Sequence, residues 1–279
     1  MYTTVLIAAL TVVAPQADTV IPVEPGTRLE VSNFRGEVVI DVWGRDEVRV
    51  TGDLSPRQHL DARRTAAAVR IRPGTRHGGP EEADLRITAP RWMEVRVEGN
   101  QVDVEVRGTE AAVAVETVAG DVRVEGGRDR IDVRSIQGEI HVRGARGRVE
   151  ASSVNEEIIL EDVEGEVYAE TTNGDVSLRG IRSGWIRATT VNGDIEYDGT
   201  IRSDGRYAFS THNGDMEVTV AEDADVTVSV STYHGEFESY FPIRLTGTTR
   251  DRQFDFILGS GQARLELESF NGEINLRRP

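Results

Sequence analysis

The chain has no cysteine among its 279 residues. That excludes disulfides, thiolate metal sites, cysteine nucleophiles and a lipid anchor on an N-terminal cysteine. Aromatic residues are scarce at 6%, and hydrophobic residues reach only 38%, which is little for a globule with one thick core. Positive charge is short as well: 32 Lys and Arg stand against 48 Asp and Glu, for a net charge of −16. A surface this acidic repels nucleic-acid phosphates and anionic headgroups, and suits divalent cations or basic groups. No Ser/His/Asp spacing, nucleotide-binding loop or zinc motif is visible. Beyond the N-terminus no stretch approaches the length of a membrane span.

Residues 1–17 read MYTTVLIAALTVVAPQA. The apolar run Val5–Ala14 has the length of a signal-peptide core and is too short to span a bilayer. No Lys or Arg precedes it, but small residues follow, and Ala17 fits the last position before cleavage. Export to the periplasm, cell surface or extracellular space is the expectation.

What the chain has in quantity is glycine, 28 in all, and much of it recurs at a fixed interval. The copies include TVAGDVRV (117–124), SIQGEIHV (135–142), SVNEEIIL (153–160), TTNGDVSL (171–178), TVNGDIEY (190–197), THNGDMEV (211–218), TYHGEFES (232–239) and SFNGEINL (269–276). A worn copy is GNQVDVEV (99–106). The reference position falls at Val102, Gly120, Gly138, Glu156, Gly174, Gly193, Gly214, Gly235 and Gly272, in steps of 18, 18, 18, 18, 19, 21, 21 and 37. The last step covers two periods, so one coil there is expected to be degenerate or rebuilt.

Apolar pairs stand seven and five residues before the reference, as in Val113/Val115 and Ile131/Val133. Others stand two and four after it, as in Val122/Val124 and Ile140/Val142. Alternation with period two means strands with one buried face. Three residues before the reference sits Ser or Thr, at Thr117, Ser135, Ser153, Thr171, Thr190, Thr211, Thr232 and Ser269, usually followed by an apolar residue. Two inward-type residues in succession mark a bend, where the hydroxyl can satisfy a backbone group. A unit this short cannot bury its apolar face alone, so coils must stack. The reading is all-β: a β-solenoid, parallel β-helix-like, of about 18–21 residues per coil over 95–279. Residues 18–94 form a strand-rich N-terminal cap. Within that cap Ser55-Pro56 predicts a short helix through Ala68, and 73–83 reads as a loop.

Several segments together resemble a known family. They are the opening GEVVIDVW (36–43) with DEVRVTG (46–52), the strand DLRITAPR (84–91), the serial TxNGDV repeats and the closing GSGQARLELESFNGEINL (259–276). The chain resembles, over roughly 28–278, the "putative adhesin" family of bacterial envelope β-strand-repeat proteins, a domain of unknown function. The resemblance implies a β-solenoid exposed at the envelope and carries over no catalytic residue. Glu156 and Val102 depart from its glycine pattern.

The acid after the reference is present in every copy: Asp103, Asp121, Glu139, Glu157, Asp175, Asp194, Asp215, Glu236 and Glu273. Stacked carboxylates about 5 Å apart repel by about 1 kcal/mol per pair in water. Corner hydrogen bonding offsets that in one reading. In the other, Asp175, Asp194 and Asp215 with nearby Asn oxygens hold a cation, Ca²⁺ by donor type. His212 and His234, in consecutive copies, lie in different columns and are not expected to converge. Aromatics gather late, including Tyr233, Phe237, Tyr240, Phe241, Phe254 and Phe256, as a widened core or as a glycan-stacking or subunit-contact patch.

The functional expectation is a non-catalytic envelope or surface protein, an adhesin or interaction scaffold, with a protein or glycan partner at the cell envelope. It needs no cofactor, with Ca²⁺ as the one candidate. The alternatives are a polysaccharide-acting β-helix enzyme and a calcium-binding accessory protein of envelope stress.

Overall fold

The computed structural model describes residues 16–76, 78–242, 247–248 and 253–279. Most of the expected signal peptide, and His77, lie outside them. Every element among the described residues is a strand. The first six are β1 (Gln16–Pro22), β2 (Arg28–Trp43), β3 (Glu47–Asp53), β4 (Gln58–Arg64), β5 (Ala68–Thr75) and β6 (Asp84–Pro90). The repeat region begins with β7 (Val95–Thr109), β8 (Val113–Glu116), β9 (Val122–Gly126), β10 (Arg128–Arg134) and β11 (Ile140–Arg143). It continues with β12 (Arg146–Ser152), β13 (Ile158–Glu161), β14 (Val167–Glu170), β15 (Val176–Ile181) and β16 (Trp185–Asn192). Then follow β17 (Ile195–Gly199), β18 (Arg206–Asn213), β19 (Met216–Thr219), β20 (Val226–Thr232) and β21 (Phe237–Ser239). The last are β22 (Gly247–Thr248), β23 (Gln253–Leu258), β24 (Ala263–Asn271) and β25 (Ile274–Arg277).

These strands form one large, mostly parallel, solenoid-like sheet system. Two columns of parallel strands run side by side. In the first, Leu29, Val95, Val113, Ile131, Val149, Val167, Ile186, Tyr207 and Leu265 lie in register. In the second, Val38, Val104, Val122, Ile140, Ile158, Val176, Ile195, Met216 and Ile274 do the same. All of these side chains are buried. The alternation of the sequence is therefore the alternation of the pleat, and each layer closes the apolar face of the one before it.

The core is filled by complementary volumes. Where the inner column of the first sheet shrinks to Ala151, Ala169 and Ala188, the second sheet grows to Leu160, Leu178 and Tyr197 in the same layers. The last layers are wide enough for Tyr207 and Phe209, whose rings stand 6.2 and 5.1 Å from that of Tyr197. The late aromatics Tyr207, Phe209 and Phe256 are thus largely core, whereas Tyr233 and Tyr240 face solvent.

Chain order and stacking order part company at both ends. The layer after β18 and β19 is β24 and β25, with Ala208 opposite Glu266 and Met216 opposite Ile274. β20 and β21 lie on its far side, with Ser229 opposite Glu266 and Phe237 opposite Ile274. The double step of 37 therefore marks no rebuilt coil. It marks a reversal, in which the C-terminal layer inserts between two layers that are consecutive in sequence. β23 then runs antiparallel along β20 and covers its outer edge.

The N-terminal segment mirrors this arrangement. β2 sits between β7 and the layer made of β5 and β6, parallel to both. β3 and β4 pair antiparallel outside β6 and β5, and β1 outside β3. Antiparallel strands at an end turn the stacking direction and cover part of the open parallel edge. The helix expected after Ser55 is instead a turn leading into β4. Gln58 accounts for the difference: its side-chain oxygen accepts the Ser55 amide at 2.7 Å and its amide nitrogen donates to the Glu82 carbonyl at 3.0 Å. The register of β4 on β5 then supplies the backbone bonds a helix would have made. β5 also runs to Thr75, into the stretch expected as loop.

Candidate functional site

The corner between the two strand columns is where the sequence signals converge, and each position there has one job. The Ser/Thr column points inward and is buried. Several of its hydroxyls donate to the reference carbonyl of the preceding layer, Thr171 to Glu156 at 3.2 Å, Thr190 to Gly174 and Thr211 to Gly193 at 2.9 Å, and Ser269 to Gly214 at 3.3 Å, whereas Ser153 and Thr232 accept the amides of Glu156 and Gly235. The donated bonds satisfy carbonyls in a bend that no ladder bond reaches. Thr117 donates likewise to the Val102 carbonyl at 3.4 Å, so the two layers lacking the reference glycine keep the pattern.

At Gly193 and Gly214 the reference glycine is required by close approach. A Cβ on Gly193 would lie 2.0 Å from the Gly174 carbonyl oxygen, and one on Gly214 equally close to that of Gly193. The residue before it forms an amide ladder through Asn155, Asn173, Asn192, Asn213 and Asn271. Each side-chain NH₂ donates to the preceding Asn oxygen, at 3.2 Å for the first pair and 2.8 Å for the rest.

The acid column resolves into two kinds of residue. Each aspartate turns one oxygen back to accept the backbone N–H of the acid in the next layer. Asp103 accepts from Asp121 at 2.9 Å, Asp121 from Glu139 at 3.1 Å, Asp175 from Asp194 at 2.8 Å, Asp194 from Asp215 at 2.7 Å and Asp215 from Glu273 at 2.8 Å. The cation candidates Asp175, Asp194 and Asp215 thus stand in one file, each with an oxygen committed to a backbone amide. Among the described residues no group of three or more His, Asp or Glu is arranged to hold a metal ion. Glu157 shows the cost of stacking: burial, with Asp175 and Glu139 beside it, raises its pKa above the usual carboxylate range.

The sequence reading missed one column. The apolar residue after each Ser or Thr was expected inward, but the hydroxyl holds that position and the next side chain must turn out. Val118, Ile136, Val154 and Val191 are 43%, 45%, 38% and 42% exposed. Phe34 extends this line at one end, since Asn33 and Arg35 are in register with Gly99 and Gln101. At the other end Phe270 stacks on His212 at 4.6 Å and packs against Tyr233 at 5.2 Å and His234 at 5.1 Å. His212 and His234 therefore do approach a common point, but from either side of an inserted layer, with Phe270 between them. The edge carries an outward file that is mostly apolar, an amide ladder from Asn155 onward and a file of acids whose aspartates bond the next layer's amide.

Comparison with known proteins places part of the chain. The model of the Toastrack DUF4097 family matches residues 148–277. Those residues form a Toastrack domain. Toastrack DUF4097 is a domain of unknown function. No curated protein matches the chain. Solved structures similar to the chain include one named a putative adhesin from Bacteroides fragilis NCTC 9343, at 10% identity and a TM-score of 0.45, covering 94% of this chain and 97% of that one. Another, named a putative adhesin from Parabacteroides merdae ATCC 43184, has 12% identity and a TM-score of 0.43, covering 94% and 95%. A third, named a putative lipid binding protein from Parabacteroides distasonis ATCC 8503, has 10% identity and a TM-score of 0.46, covering 94% and 96%. Among the described residues no helix is long and apolar enough to cross a membrane.

Proposed function

We propose that the chain is a non-catalytic module of the cell envelope or cell surface, of the adhesin or interaction-scaffold kind, and that its corner edge is the surface it presents. In this reading the molecule is a solenoid of 18–21-residue coils, with residues 18–94 as its N-terminal cap and the leader 1–17 directing export. The observation that carries the reading is the outward file of Val118, Ile136 and Val154, taken up again by Val191 after Thr172, with the Asn ladder beside it from Asn155 onward and the Asp bonds beside its two ends. Apolar side chains left in solvent on the successive layers of Val118, Ile136 and Val154, on a hydrogen-bonded backbone, make a preorganised contact line. The acids beside them support a non-catalytic role, because the aspartates are engaged with backbone amides rather than paired across a cleft as acid and base.

The test uses the immobilised full chain and an envelope fraction of the producing cell. A variant with Val118, Ile136 and Val191 changed to Ser is expected to retain its melting temperature and lose at least fivefold in captured material. Undiminished capture by that variant would remove the corner edge from the account. Turnover of neutral or acidic glycans by the purified chain would replace the reading with an enzymatic one.

A further inference from the structure

A second surface lies away from the corner, on the outer face of the first strand column. There a groove of about 680 Å³ opens between the layers of β16, β18, β24 and β20. Trp185, Arg206 and Arg264 occupy one register position across three strands. Arg187, Ala208 and Glu266 occupy the position two residues on. The small side chain of Ala208, with Gly205 and Gly261, makes the floor. The indole of Trp185 is exposed on the rim and is held by its own backbone: Ser183 Oγ accepts the Trp185 amide at 3.0 Å and donates to the Trp185 carbonyl at 2.7 Å. The buried Tyr207 hydroxyl donates to the Ser183 carbonyl at 2.8 Å and accepts the Arg202 amide at 2.8 Å, tying together the two turns that wall the groove.

The local charge runs against that of the molecule. Asp204 is paired with Arg202 at 3.3 Å, and Glu266 with Arg264 at 3.5 Å. Arg187 and Arg206 have no carboxylate within ion-pair distance among the described residues. Further along the same face, Arg130, Arg134 and Arg148 are each within 3.8 Å of Glu150, so guanidiniums there are held by a carboxylate of the protein itself. The groove thus sets two guanidiniums without an ion pair beside an exposed indole, over a floor of small residues.

We propose that this groove binds a sugar residue bearing a carboxylate, a hexuronate unit within an otherwise neutral glycan. The indole offers a flat apolar face to the C–H face of a pyranose ring. A guanidinium matches a carboxylate in a two-point bond, and Arg187 and Arg206 are the ones free to make it. Asp204, Glu266 and Thr227, on the same walls, supply acceptors for the ring hydroxyls, the Thr227 hydroxyl itself donating to the Gly261 carbonyl at 2.9 Å. The net charge of −16 disfavours a glycan charged on every residue and favours acidic residues separated by neutral ones. This site stands independently of the corner edge, and either can fail alone.

The test is calorimetric titration of the full chain with a tetrasaccharide alternating glucuronate and N-acetylglucosamine. Its carboxyl-methylated form, the neutral N-acetylglucosamine tetramer and inorganic sulfate serve as comparisons. Saturable binding of the acidic tetrasaccharide is expected, weakened at least tenfold by methylation, by Arg206→Gln and by Trp185→Ala. These side chains are solvent-exposed, and an unchanged melting temperature verifies that the variants fold. Binding should also change the indole fluorescence of the native chain and leave that of Trp185→Phe unchanged. Absence of binding, equal binding of the neutral or methylated glycan, or sulfate binding as tight as the glycan would each overturn the assignment.

Discussion

At the scale of single residues the corner works by exclusion of Cβ and by short polar reach. Gly193→Ala and Gly214→Ala would each place a methyl 2.0 Å from a carbonyl oxygen of the adjacent layer. Each is expected to cost about 1–3 kcal/mol, read as a lower midpoint in thermal or urea unfolding. The aspartate ladder separates reach from charge. Asp194→Ala removes the acceptor for the Asp215 amide and should cost about 1 kcal/mol, whereas Asp194→Asn keeps an oxygen in place and should cost less than half of that. Glu157 behaves oppositely, because its pKa is raised in the folded chain by burial and by Asp175 and Glu139. The folded state then holds that proton more tightly than the unfolded state. The stability it contributes is present below the group's ordinary pKa and is lost as pH rises through its raised folded-state pKa. Glu157→Gln should therefore stabilise the protein at pH 7 by a few tenths of a kcal/mol after solvent screening, with the gain vanishing towards pH 4. Calcium has no assembled site in this file of acids. Adding Ca²⁺ or a chelator should leave the melting temperature within about 1 °C, and a calcium-dependent rise of several degrees would show that the committed oxygens can be recruited.

At the scale of elements most of the strand pattern was legible, because a pleat with one buried face writes itself into the sequence with period two. Val113/Val115 and Val122/Val124 could be placed on two strands and a corner without coordinates. Two local features were not. Ser55-Pro56 followed by a run of Ala and Arg reads as a helix start, yet Gln58 bonds both the turn and a distant carbonyl, a tertiary contact invisible in a local window. The outward turn of Val118 and Ile136 runs against their hydrophobicity, which predicts burial. The buried hydroxyl beside each was the signal that the inward position was already filled. Since these side chains are in solvent, Val118→Ser and Ile136→Ser should shift the unfolding midpoint by less than about 0.5 kcal/mol.

At the scale of the molecule, stacking order is not written in the repeat, because the layers carry the same columns and the repeat does not name its neighbour. The insertion of β24 and β25 before β20 and β21 is decided by the connections, with β23 returning antiparallel along β20. The corner ladder stays continuous across that reversal: Asn271 donates to Asn213, and the Glu273 amide to Asp215. The proposed contact edge and the proposed groove both depend on this order, since Phe270 completes the first and Arg264 the second. The chain has no native cysteine, so paired substitutions test the order cleanly. Ser210 faces Glu268, and Glu268 faces Ser231, across adjacent strands. The pairs Ser210→Cys with Glu268→Cys, and Glu268→Cys with Ser231→Cys, should oxidise to disulfides, because neighbouring strands bring their Cα atoms to about 5 Å. Ser210→Cys with Ser231→Cys should remain reduced, two layers and about 10 Å apart. Ready disulfide formation in that third pair, with failure of the first, would place the layers in chain order and contradict the account.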